Sequence, residues 1–342
     1  MTINSNTKLK IGIVGLGYWG PNWVRNIMVH EKFQLDWVVD LDVRRLVFVK
    51  ETFNLPDSKI FSNIDEALSS VRPDIVLIAT PPSSHLNLAK LIASHKINLI
   101  IEKPSGINSK EMLEIIKLEQ KNGIKIFADH TYLFTPAAKL IRELIESNYL
   151  GELQFVLSSR LNLGLIQKDV DVVRDLAIHD FSLFDYFFEE LPLSLQTISK
   201  THFPATIDST ASINLNFSKK LLGHINVSWN SPVKVRQMII SGSNRSIIWD
   251  DTNQTEKVKI FEASADINLD DPKRHISYSL GKTEVPKLAL EEAIKLELDH
   301  IYECLLNSLK PINGTDHLSK MHKILVACEK SKLNLSNLVE VI

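Results

Sequence analysis

The first 130 residues alternate between two hydrophobic patterns. Short runs of nearly continuous apolar residues, such as Leu9–Val14 and Ile75–Ala79, are followed by longer segments in which apolar residues recur every three or four positions. Continuous apolar runs are typical of strands buried on both faces of a parallel sheet, and the second pattern is typical of helices packed on such a sheet. Because strand and helix alternate six times, this part predicts a doubly wound parallel α/β sheet.

The pattern changes after a helix predicted over 135–148. Short β-rich runs separated by turn residues follow, and this spacing is typical of an antiparallel sheet. The mixed acids and bases around Pro272 predict a loop over 266–274, and the chain ends in helical segments at 288–309 and 316–333. We therefore predict a Rossmann domain over 1–130 and an α+β domain with a large, mainly antiparallel open sheet over 131–342. The predicted strands of this sheet are Leu153–Asn162, Leu193–Phe203, Ser209–Phe217, Gly223–Trp229, Arg236–Ser241 and Ser246–Trp249.

A glycine motif follows the first apolar run. The motif is Gly15-x-Gly17-x-x-Gly20, and a helical pattern with Pro21 near its start comes directly after it. In a dinucleotide-binding turn, Gly15 would make the tight turn, Gly17 would let the backbone approach a pyrophosphate, and Gly20 would let helix and strand pack closely. The free N–H groups of the helix would then face the phosphates. A glycine turn that binds no nucleotide is the structural alternative.

An acidic residue stands at the end of the second predicted strand. Asp40 follows Gly20 by twenty residues, where a carboxylate accepts hydrogen bonds from an adenosine ribose and repels a 2′-phosphate. This favours NAD over NADP, although Arg44 and Arg45 are close enough in sequence to soften the preference. Tyr18 and Trp19, between the motif glycines, are predicted to lie against the cofactor, and core aromatics are the alternative.

Two further strand ends carry polar residues. Thr80 and His85 flank a loop stiffened by Pro81 and Pro82, and they can turn polar atoms toward a cofactor. The sequence Glu102–Pro104 sets a lysine directly after the fifth strand. Ligands of doubly wound sheets bind beyond the carboxyl ends of the strands, so we expect these residues at a binding site.

These motifs together resemble the glucose–fructose oxidoreductase, inositol dehydrogenase and MocA family. The resemblance covers essentially the whole chain, and the combination is far more specific than any one motif. It rests on Gly15–Asn22, Thr80–His85, Glu102–Pro104, Asp129–Tyr132, Ser159–Gly164 and Asp175–Asp180.

The residues of two motifs resemble those found in the nucleotide-sugar branch of this family. That branch includes the UDP-N-acetylglucosamine 3-dehydrogenases and UDP-N-acetylglucosaminuronate dehydrogenases. The two motifs are Tyr18–Asn22 and Arg160–Gly164. That branch commonly has a proline where this chain has Ile178, and the change removes no functional atom.

The resemblance implies an NAD-dependent oxidoreductase that acts on CH–OH groups and assembles as a homo-oligomer, a dimer or a tetramer. It also implies that the last helix, 315–334, packs back toward the first domain. The implied cofactor-binding residues are Gly15, Gly17, Tyr18, Trp19, Gly20, Asp40, Arg44, Thr80, Pro81, Pro82, His85, Glu102 and Lys103. The implied substrate-binding residues are Tyr132, Arg160 and Asn162, where a positive group would suit a diphosphate or carboxylate. A strand residue facing outward is the alternative for Arg160 and Asn162, and Tyr132 has a similar alternative.

Three residues are candidates for the proton chemistry of alcohol oxidation. Lys103 can donate to the hydroxyl oxygen, and His179 is the natural acid–base group. Asp175 lies four residues before His179, so on a helix the two share one face. A surface lysine and a satisfied histidine beside a helix-capping aspartate are the structural alternatives. A metal site is rejected because no third and fourth ligand is evident.

Composition and charge limit the other function classes. The chain has 342 residues, 44% of them hydrophobic, and a formal net charge of −2, which suggests about two soluble domains and no nucleic-acid or membrane partner. The polar stretch Met1–Lys10 shows no signal peptide. Cys304 and Cys328 are predicted to be buried, reduced thiols, which favours the cytoplasm.

The leading hypothesis is therefore an NAD-dependent oxidoreductase acting on a secondary alcohol or ketone, at C3, of a nucleotide-linked sugar such as UDP-N-acetylglucosamine or its uronate. A dehydrogenase for inositol or a free sugar is the alternative within enzymes. A regulator that binds the cofactor without turning it over is the alternative from another class, although such a protein has no need of a proton-transfer set.

Overall fold

A computed structural model describes residues 8–164, 166–202, 207–218, 220–267 and 276–342. By its internal contacts the chain divides into two units. The first runs to Thr135 and includes Glu291–His322, and the second comprises Pro136–Leu290 and Lys323–Ile342.

The first unit is built on a parallel sheet. Within residues 8–130, all of them described, six strands lie in the order β3-β2-β1-β4-β5-β6. The order reverses between β1 and β4, and this is the point at which open α/β sheets bind ligands. The strands are β1 Leu9–Val14, β2 Phe33–Val39, β3 Ile60–Phe61, β4 Ile75–Ile78, β5 Asn98–Glu102 and β6 Ile126–Asp129, and the helices are α1 Gly20–Val29, α2 Val43–Phe53, α3 Ile64–Ser70, α4 His85–Ser94 and α5 Ser109–Asn122.

The second unit is built on a mixed sheet. Among the described residues its nine strands lie in the order β14-β13-β12-β11-β7-β10-β9-β8-β15. All neighbouring pairs are antiparallel except β7 and β10, which run parallel. The elements of the second unit are α6 Pro136–Glu146, β7 Leu153–Leu163, a π-helical turn Val173–Ala177, α7 Ile178–Phe188, β8 Ser194–Lys200, β9 Thr210–Asn216, β10 Leu222–Ser228, β11 Asn230–Gly242, β12 Arg245–Asp250, β13 Val258–Ile267, β14 Ile276–Glu284 and β15 Val339–Glu340. The helix α8 Ala293–Leu306 belongs to the first unit, and α9 Thr315–Leu333 begins in the first unit and ends in the second.

The helix α8 groups with the first unit, although the division at residue 130 assigns its sequence to the second domain. The reason is hydrophobic burial, because Leu298 and Ile301 are fully buried in one cluster with Trp23 of α1 and Phe33 of β2. Packing of this kind overrides position in the chain.

Three further predictions concern parts of the chain that the structure covers only partly. The predicted loop over 266–274 begins inside β13, which runs to Ile267, and its residues from 268 onward lie outside the described ranges. Phe203, the last residue of the predicted strand Leu193–Phe203, and the first seven residues of the polar stretch Met1–Lys10 also lie outside them.

None of the helices in the described ranges combines the length and the hydrophobicity that a membrane span requires.

Candidate active site

The glycine turn between β1 and α1 has the close contacts that its sequence predicts. Gly15 has a φ of +100°, and a Cβ placed there would lie 2.5 Å from the carbonyl oxygen of Ala79. A Cβ on Gly20 would lie 2.3 Å from the carbonyl oxygen of Gly15. A Cβ on Gly17 would meet only the guanidinium of Arg45, at 3.4 Å. The turn is therefore closed on the protein side, while the surface over Gly17 stays open for a phosphate group.

The first turn of α1 also fits an anionic ligand. The helix begins after Trp19 without a side-chain cap, has no acidic residue in its first turn and carries Pro21 there. The N-cap residue therefore leaves the first N–H groups of the helix uncapped, as a phosphate-binding helix terminus requires. Tyr18 is 83% exposed and packs edge-to-face against Trp19, with 5.5 Å between the ring centroids.

Asp40 is tied to the glycine turn. Its Oδ2 accepts a hydrogen bond of 2.6 Å from the N–H of Leu16, and its Oδ1 accepts one of 2.8 Å from the N–H of Asp42. Arg45 approaches Asp40 with 3.7 Å between Nη1 and Oδ2. Arg44 instead hydrogen-bonds to Asp42 in an exposed pair, which lowers the pKa of Asp42 to about 2. Of the two arginines near Asp40 in sequence, Arg45 is the one with an ion pair to it, and the predicted cofactor contact of Arg44 stays a prediction.

The loop after β4 is stiff. Pro81 leads into a 3₁₀ turn over Pro82–Ser84, whose N–H at Ser84 donates to the Pro81 carbonyl at 3.0 Å. The hydroxyl groups of Thr80 and Ser84 lie 2.6 Å apart and hydrogen-bond to each other. The hydroxyl of Thr80 is thus engaged within its own loop.

His85 has a different position from the one predicted. The ring is fully buried, with Nε2 2.8 Å from the carbonyl oxygen of Thr80 and Nδ1 3.1 Å from that of Pro104. Burial lowers the pKa of His85, and a neutral imidazole donates to only one of two carbonyl groups at a time. Both nitrogens face the backbone, so the side chain links two loops at the sheet edge and does not turn a polar atom toward a cofactor.

Lys103 lies at the carboxyl end of β5, beside buried acids. The preceding residue, Glu102, is opposite Asp129 in the parallel pairing of β5 with β6. Burial raises the pKa of Asp129, and the nearby positive charge of Lys103 opposes that effect. The half-buried lysine is followed by a cis peptide bond to Pro104. Its surroundings differ from those of an ordinary surface lysine.

Tyr132 lies in a 3₁₀ turn, Thr131–Phe134, that follows β6. Its side chain is half-buried. Immediately before this turn, Nδ1 of His130 lies 2.8 Å from Nε2 of His317, and both rings are buried. Burial lowers the pKa of His130 well below its usual value, with the neighbouring His317 and Lys103 acting in the same direction. Sequence reasoning did not find this pair, since its members are 187 residues apart.

The Asp175 carboxylate of the second unit lies in the π-helical turn that precedes α7. It is 7% exposed, and its Oδ2 accepts a hydrogen bond of 3.0 Å from Nε1 of Trp229. His179 is half-buried in the first turn of α7. The residues at the N-cap positions of the π-helical turn and of α7 are Val172 and Ala177, so Asp175 is not the capping aspartate of the structural alternative. Single π-helical turns are frequent at functional sites.

A cluster of ion pairs holds the start of this turn. Lys332 lies 2.6 Å from Asp171 and 3.1 Å from Asp208, and the Asp171 carboxylate accepts from the N–H of Arg174 at 3.0 Å. The buried guanidinium of Arg174 also pairs with Glu329. These contacts fix the backbone just before Asp175, and no sequence motif indicated them.

Arg160 is part of a buried ion pair. Its Nε donates to Oδ1 of Asp180 at 2.8 Å, and the hydroxyl of Ser158 donates to the same oxygen at 2.7 Å. Asp180 is fully buried, and burial raises the pKa of this carboxyl against the effect of Arg160. The Nε of Arg160 is thus engaged by Asp180, and the predicted contact of this guanidinium with the substrate stays a prediction. Asn162, two residues further along β7, is half-buried.

Within the described residues, no group of three or more histidine, cysteine, aspartate or glutamate side chains is arranged to hold a metal ion.

Protein-family models match most of the chain. Residues 9–130 match the GFO/IDH/MocA oxidoreductase family with its NAD-binding Rossmann fold, and residues 138–248 match the GFO/IDH/MocA C-terminal domain.

Similar proteins span several substrate types. The chain is 24% identical over 261 residues to a myo-inositol 2-dehydrogenase of Thermotoga maritima, covering 73% of this chain and 78% of that protein. It is 26% identical over 176 residues to a UDP-N-acetylglucosamine 3-dehydrogenase of Acidithiobacillus ferrooxidans, covering 51% and 53%. Its fold is similar to that of the WlbA dehydrogenase of Bordetella pertussis, solved with NADH and UDP-GlcNAcA, with a TM-score of 0.80, 14% identity and 99% of both chains covered.

Proposed function

This chain belongs to the GFO/IDH/MocA family of NAD-binding oxidoreductases, and from that premise we propose that its substrate is a nucleotide-linked sugar. The proposed reaction oxidises a secondary alcohol, or reduces the corresponding ketone, at C3 of a sugar such as UDP-N-acetylglucosamine or its uronate. Support comes from the motifs Tyr18–Asn22 and Arg160–Gly164, which resemble the nucleotide-sugar branch, and from the relative that carries this activity in its name.

The cofactor half of the proposal rests on the first unit. Gly17 and the uncapped first turn of α1 would receive the pyrophosphate, and Asp40 would accept hydrogen bonds from the adenosine ribose. When bound there, NAD would supply the acceptor for the hydride that leaves the carbinol carbon in the oxidative direction. The ribose contact of Asp40 favours NAD, because a carboxylate repels the 2′-phosphate of NADP.

The proton half of the proposal assigns three roles. Lys103 donates a hydrogen bond to the hydroxyl oxygen and stabilises the negative charge that develops there. His179 takes the hydroxyl proton, since histidine side chains titrate near neutral pH. Asp175 orients His179 or contacts the sugar.

The observation that carries the proposal of catalysis is the hydrogen bond that holds the carboxylate of Asp175. A buried indole N–H holds one carboxylate oxygen, and the residue lies in a π-helical turn just before the half-buried His179. A protein that only senses NAD needs the glycine turn but gains nothing from a carboxylate held in this way before a histidine. This favours catalysis over a regulatory role.

A panel of substrates tests the proposal. Purified protein with NAD is mixed with UDP-N-acetylglucosamine, its uronate, dTDP-sugars and myo-inositol, and absorbance at the reduced-nicotinamide band is followed. We expect turnover with a nucleotide sugar and none with inositol. Turnover with inositol alone would transfer the assignment to the free-polyol branch, and turnover with none would favour the regulator.

Two variants show whether turnover uses the assigned residues. His179→Asn should lower kcat by about 10²- to 10⁴-fold, the usual effect of losing a general acid–base group. Lys110→Ala, which removes an exposed lysine of α5, is the control for general effects of surface substitution and should leave kcat unchanged. A His179→Asn enzyme as active as wild type would remove this residue from the mechanism.

A further inference from the structure

A lysine near the end of α9 joins two separate segments of the second unit. Nζ of Lys332 lies 2.6 Å from Oδ2 of Asp171, just before the π-helical turn, and 3.1 Å from Oδ2 of Asp208, just before β9. The three side chains are between 19% and 23% exposed, so this is not a solvent-exposed surface pair of the kind that contributes little. Removal of one partner from such a site leaves the charges of the others uncompensated.

Lys332 carries its charge in this site. Burial lowers the pKa of its ammonium group, but the two carboxylates raise it, and the net shift is upward. Burial also raises the pKa of Asp208, but hydrogen bonds from the hydroxyl of Ser199 and from Lys332 lower it, and the net shift is downward. The Ser199 hydroxyl donates to Oδ2 of Asp208 at 2.6 Å. At neutral pH a positive lysine therefore faces an ionised carboxylate.

The first segment that the lysine binds leads to the backbone of Asp175. The carbonyl of Asp171 accepts the N–H of Asp175 at 3.0 Å, and its carboxylate accepts that of Arg174 at 3.0 Å. The guanidinium of Arg174 pairs with Glu329, which lies three residues before Lys332 on α9. Residues three apart lie on the same side of a helix, so one side of α9 holds the start of the π-helical turn at two points.

The second segment leads to the carboxylate of Asp175. The residue after Asp208 is Ser209, whose carbonyl accepts the backbone N–H of Trp229 at 3.0 Å. The indole of Trp229 is 1% exposed and donates from Nε1 to Oδ2 of Asp175 at 3.0 Å. The carbonyl of Asp208 also accepts the N–H of Val172 at 3.0 Å, which joins the two segments directly.

These contacts form a closed loop that begins and ends at Lys332. The backbone of Asp175 is bound to one partner of the lysine, and its carboxylate is bound, through Trp229, to the residue beside the other partner. The end of α9 is itself fixed, because the hydroxyl of Ser331 accepts the N–H of Thr197 in β8 at 2.9 Å. The ammonium group therefore sets the distance between the backbone of Asp175 and the tryptophan that holds its carboxylate.

We propose that Lys332 is a positioning residue for Asp175. By bridging the two aspartates, its ammonium group holds the π-helical turn at the distance from Trp229 at which the carboxylate meets the indole N–H. The consequence for catalysis rests on the proposed role of Asp175. Without the ammonium group, the carboxylates of Asp171 and Asp208 would repel each other, and the turn would move away from the tryptophan.

The indole signal of Trp229 tests the positioning without substrate. The full chain, which contains five tryptophans, is labelled with 15N-tryptophan, and the signal that is missing in Trp229→Phe is assigned to Trp229. In Lys332→Met we expect the Trp229 indole proton to move upfield, because it loses its charged acceptor. The matched control, Lys330→Met, removes an exposed lysine of the same helix and should leave the signal in place.

The indole of Trp249 separates positioning from a general loosening of the unit. Trp249 lies in another strand, β12, and is 3% exposed, so its signal should stay in place in Lys332→Met. Equal movement of both signals would make the role of Lys332 merely structural and would overturn the proposal, as would an unmoved Trp229 signal. If Lys332→Met does not fold, Asp208→Asn replaces it, since this variant keeps the size of the side chain and leaves the lysine paired with Asp171. It should move the Trp229 signal in the same direction, and an unmoved signal would again overturn the proposal.

Kinetics then shows whether the position of Asp175 affects turnover. With a substrate found in the panel, Lys332→Met should lower kcat by about tenfold or more, with little change in the Kd of NAD. In a Trp229→Phe background the same substitution should lower kcat by a smaller factor, because the contact through which it acts is already lost. Equal factors in the two backgrounds would show that Lys332 does not act through Trp229 and would overturn the proposal.

The spectroscopic and kinetic results distinguish this proposal from the proposed function. If no sugar in the panel is turned over, the proposed function fails, while selective movement of the Trp229 signal in Lys332→Met still supports the positioning of Asp175. If a nucleotide sugar is turned over and the signal does not move, the proposed function stands and the role of Lys332 is refuted.

Discussion

Replacement of Asp40 by serine is the sharpest test of how the chain selects its cofactor. The carboxylate accepts two backbone N–H groups, from Leu16 of the glycine turn and from Asp42, at 2.6 and 2.8 Å. Serine has one short hydroxyl and no charge, so it does not replace both hydrogen bonds. The change therefore removes the ribose acceptor and loosens the turn that is predicted to hold the pyrophosphate.

The magnitude follows from the strength of the hydrogen bond that the substitution removes. A hydrogen bond to a charged group contributes about 1.5–3 kcal/mol. Without one such bond to the ribose, NAD should bind about 10- to 150-fold more weakly, since about 1.4 kcal/mol corresponds to a factor of ten. Binding of NADP should change in the opposite direction, because the repulsion of its 2′-phosphate is removed. Nη1 of Arg45, now 3.7 Å from Asp40, would become available to that phosphate.

Calorimetric titration of NAD and NADP into wild type and Asp40→Ser measures both effects. Two arginine variants in the Asp40→Ser background are matched controls. Arg45→Ala should abolish the gain in NADP affinity, whereas Arg44→Ala should leave it, because the Arg44 guanidinium is paired with Asp42. Unchanged NAD affinity in Asp40→Ser would refute the ribose contact. Equal effects of the two arginine variants would refute the distinction between them.

Three other substitutions have defined outcomes. Lys103→Ala should lower kcat by at least tenfold with little change in the Kd of NAD measured by calorimetry, and full turnover would exclude it from catalysis. Trp229→Phe removes the N–H that holds Asp175, so kcat should fall by about tenfold or more while NAD still binds; equal kcat would make the contact merely structural. Arg160→Met leaves the Asp180 carboxylate buried without its partner and should lower the free energy of unfolding in urea by about 3–5 kcal/mol. Adding Asp180→Leu to the same chain should restore most of this loss. If Arg160→Met has normal stability but a raised KM, the predicted contact of Arg160 with the substrate is supported instead.

Sequence reasoning succeeded where the chemistry is local. The glycine turn spans only Gly15–Gly20, and each strand or helix of the first 130 residues is a short continuous segment. The family, the α/β fold with a parallel sheet and a mainly antiparallel sheet, and NAD as cofactor are confirmed. Local motifs of this kind are readable because a turn or a strand end depends on the conformations of adjacent residues.

Sequence reasoning was incomplete where a side chain has a distant partner. His85 and Arg160 have the residue types expected of ligand contacts, but their polar atoms meet a backbone carbonyl 19 residues away and a carboxylate 20 residues away. Trp229 reaches Asp175 across 54 residues. Hydrophobic periodicity predicts which face of an element is buried, but it does not tell which buried polar group lies opposite, and that is decided by tertiary packing.

The two units support their acidic residues in the same physical way. In each, a buried tryptophan donates its indole N–H at 3.0 Å to a buried carboxylate: Trp23 to Asp129 and Trp229 to Asp175. An indole donates but does not accept or titrate, and its large ring is fixed by packing on all sides. It therefore sets the orientation of a carboxylate without adding a charge beside it, whereas a lysine or an arginine would also change the local field.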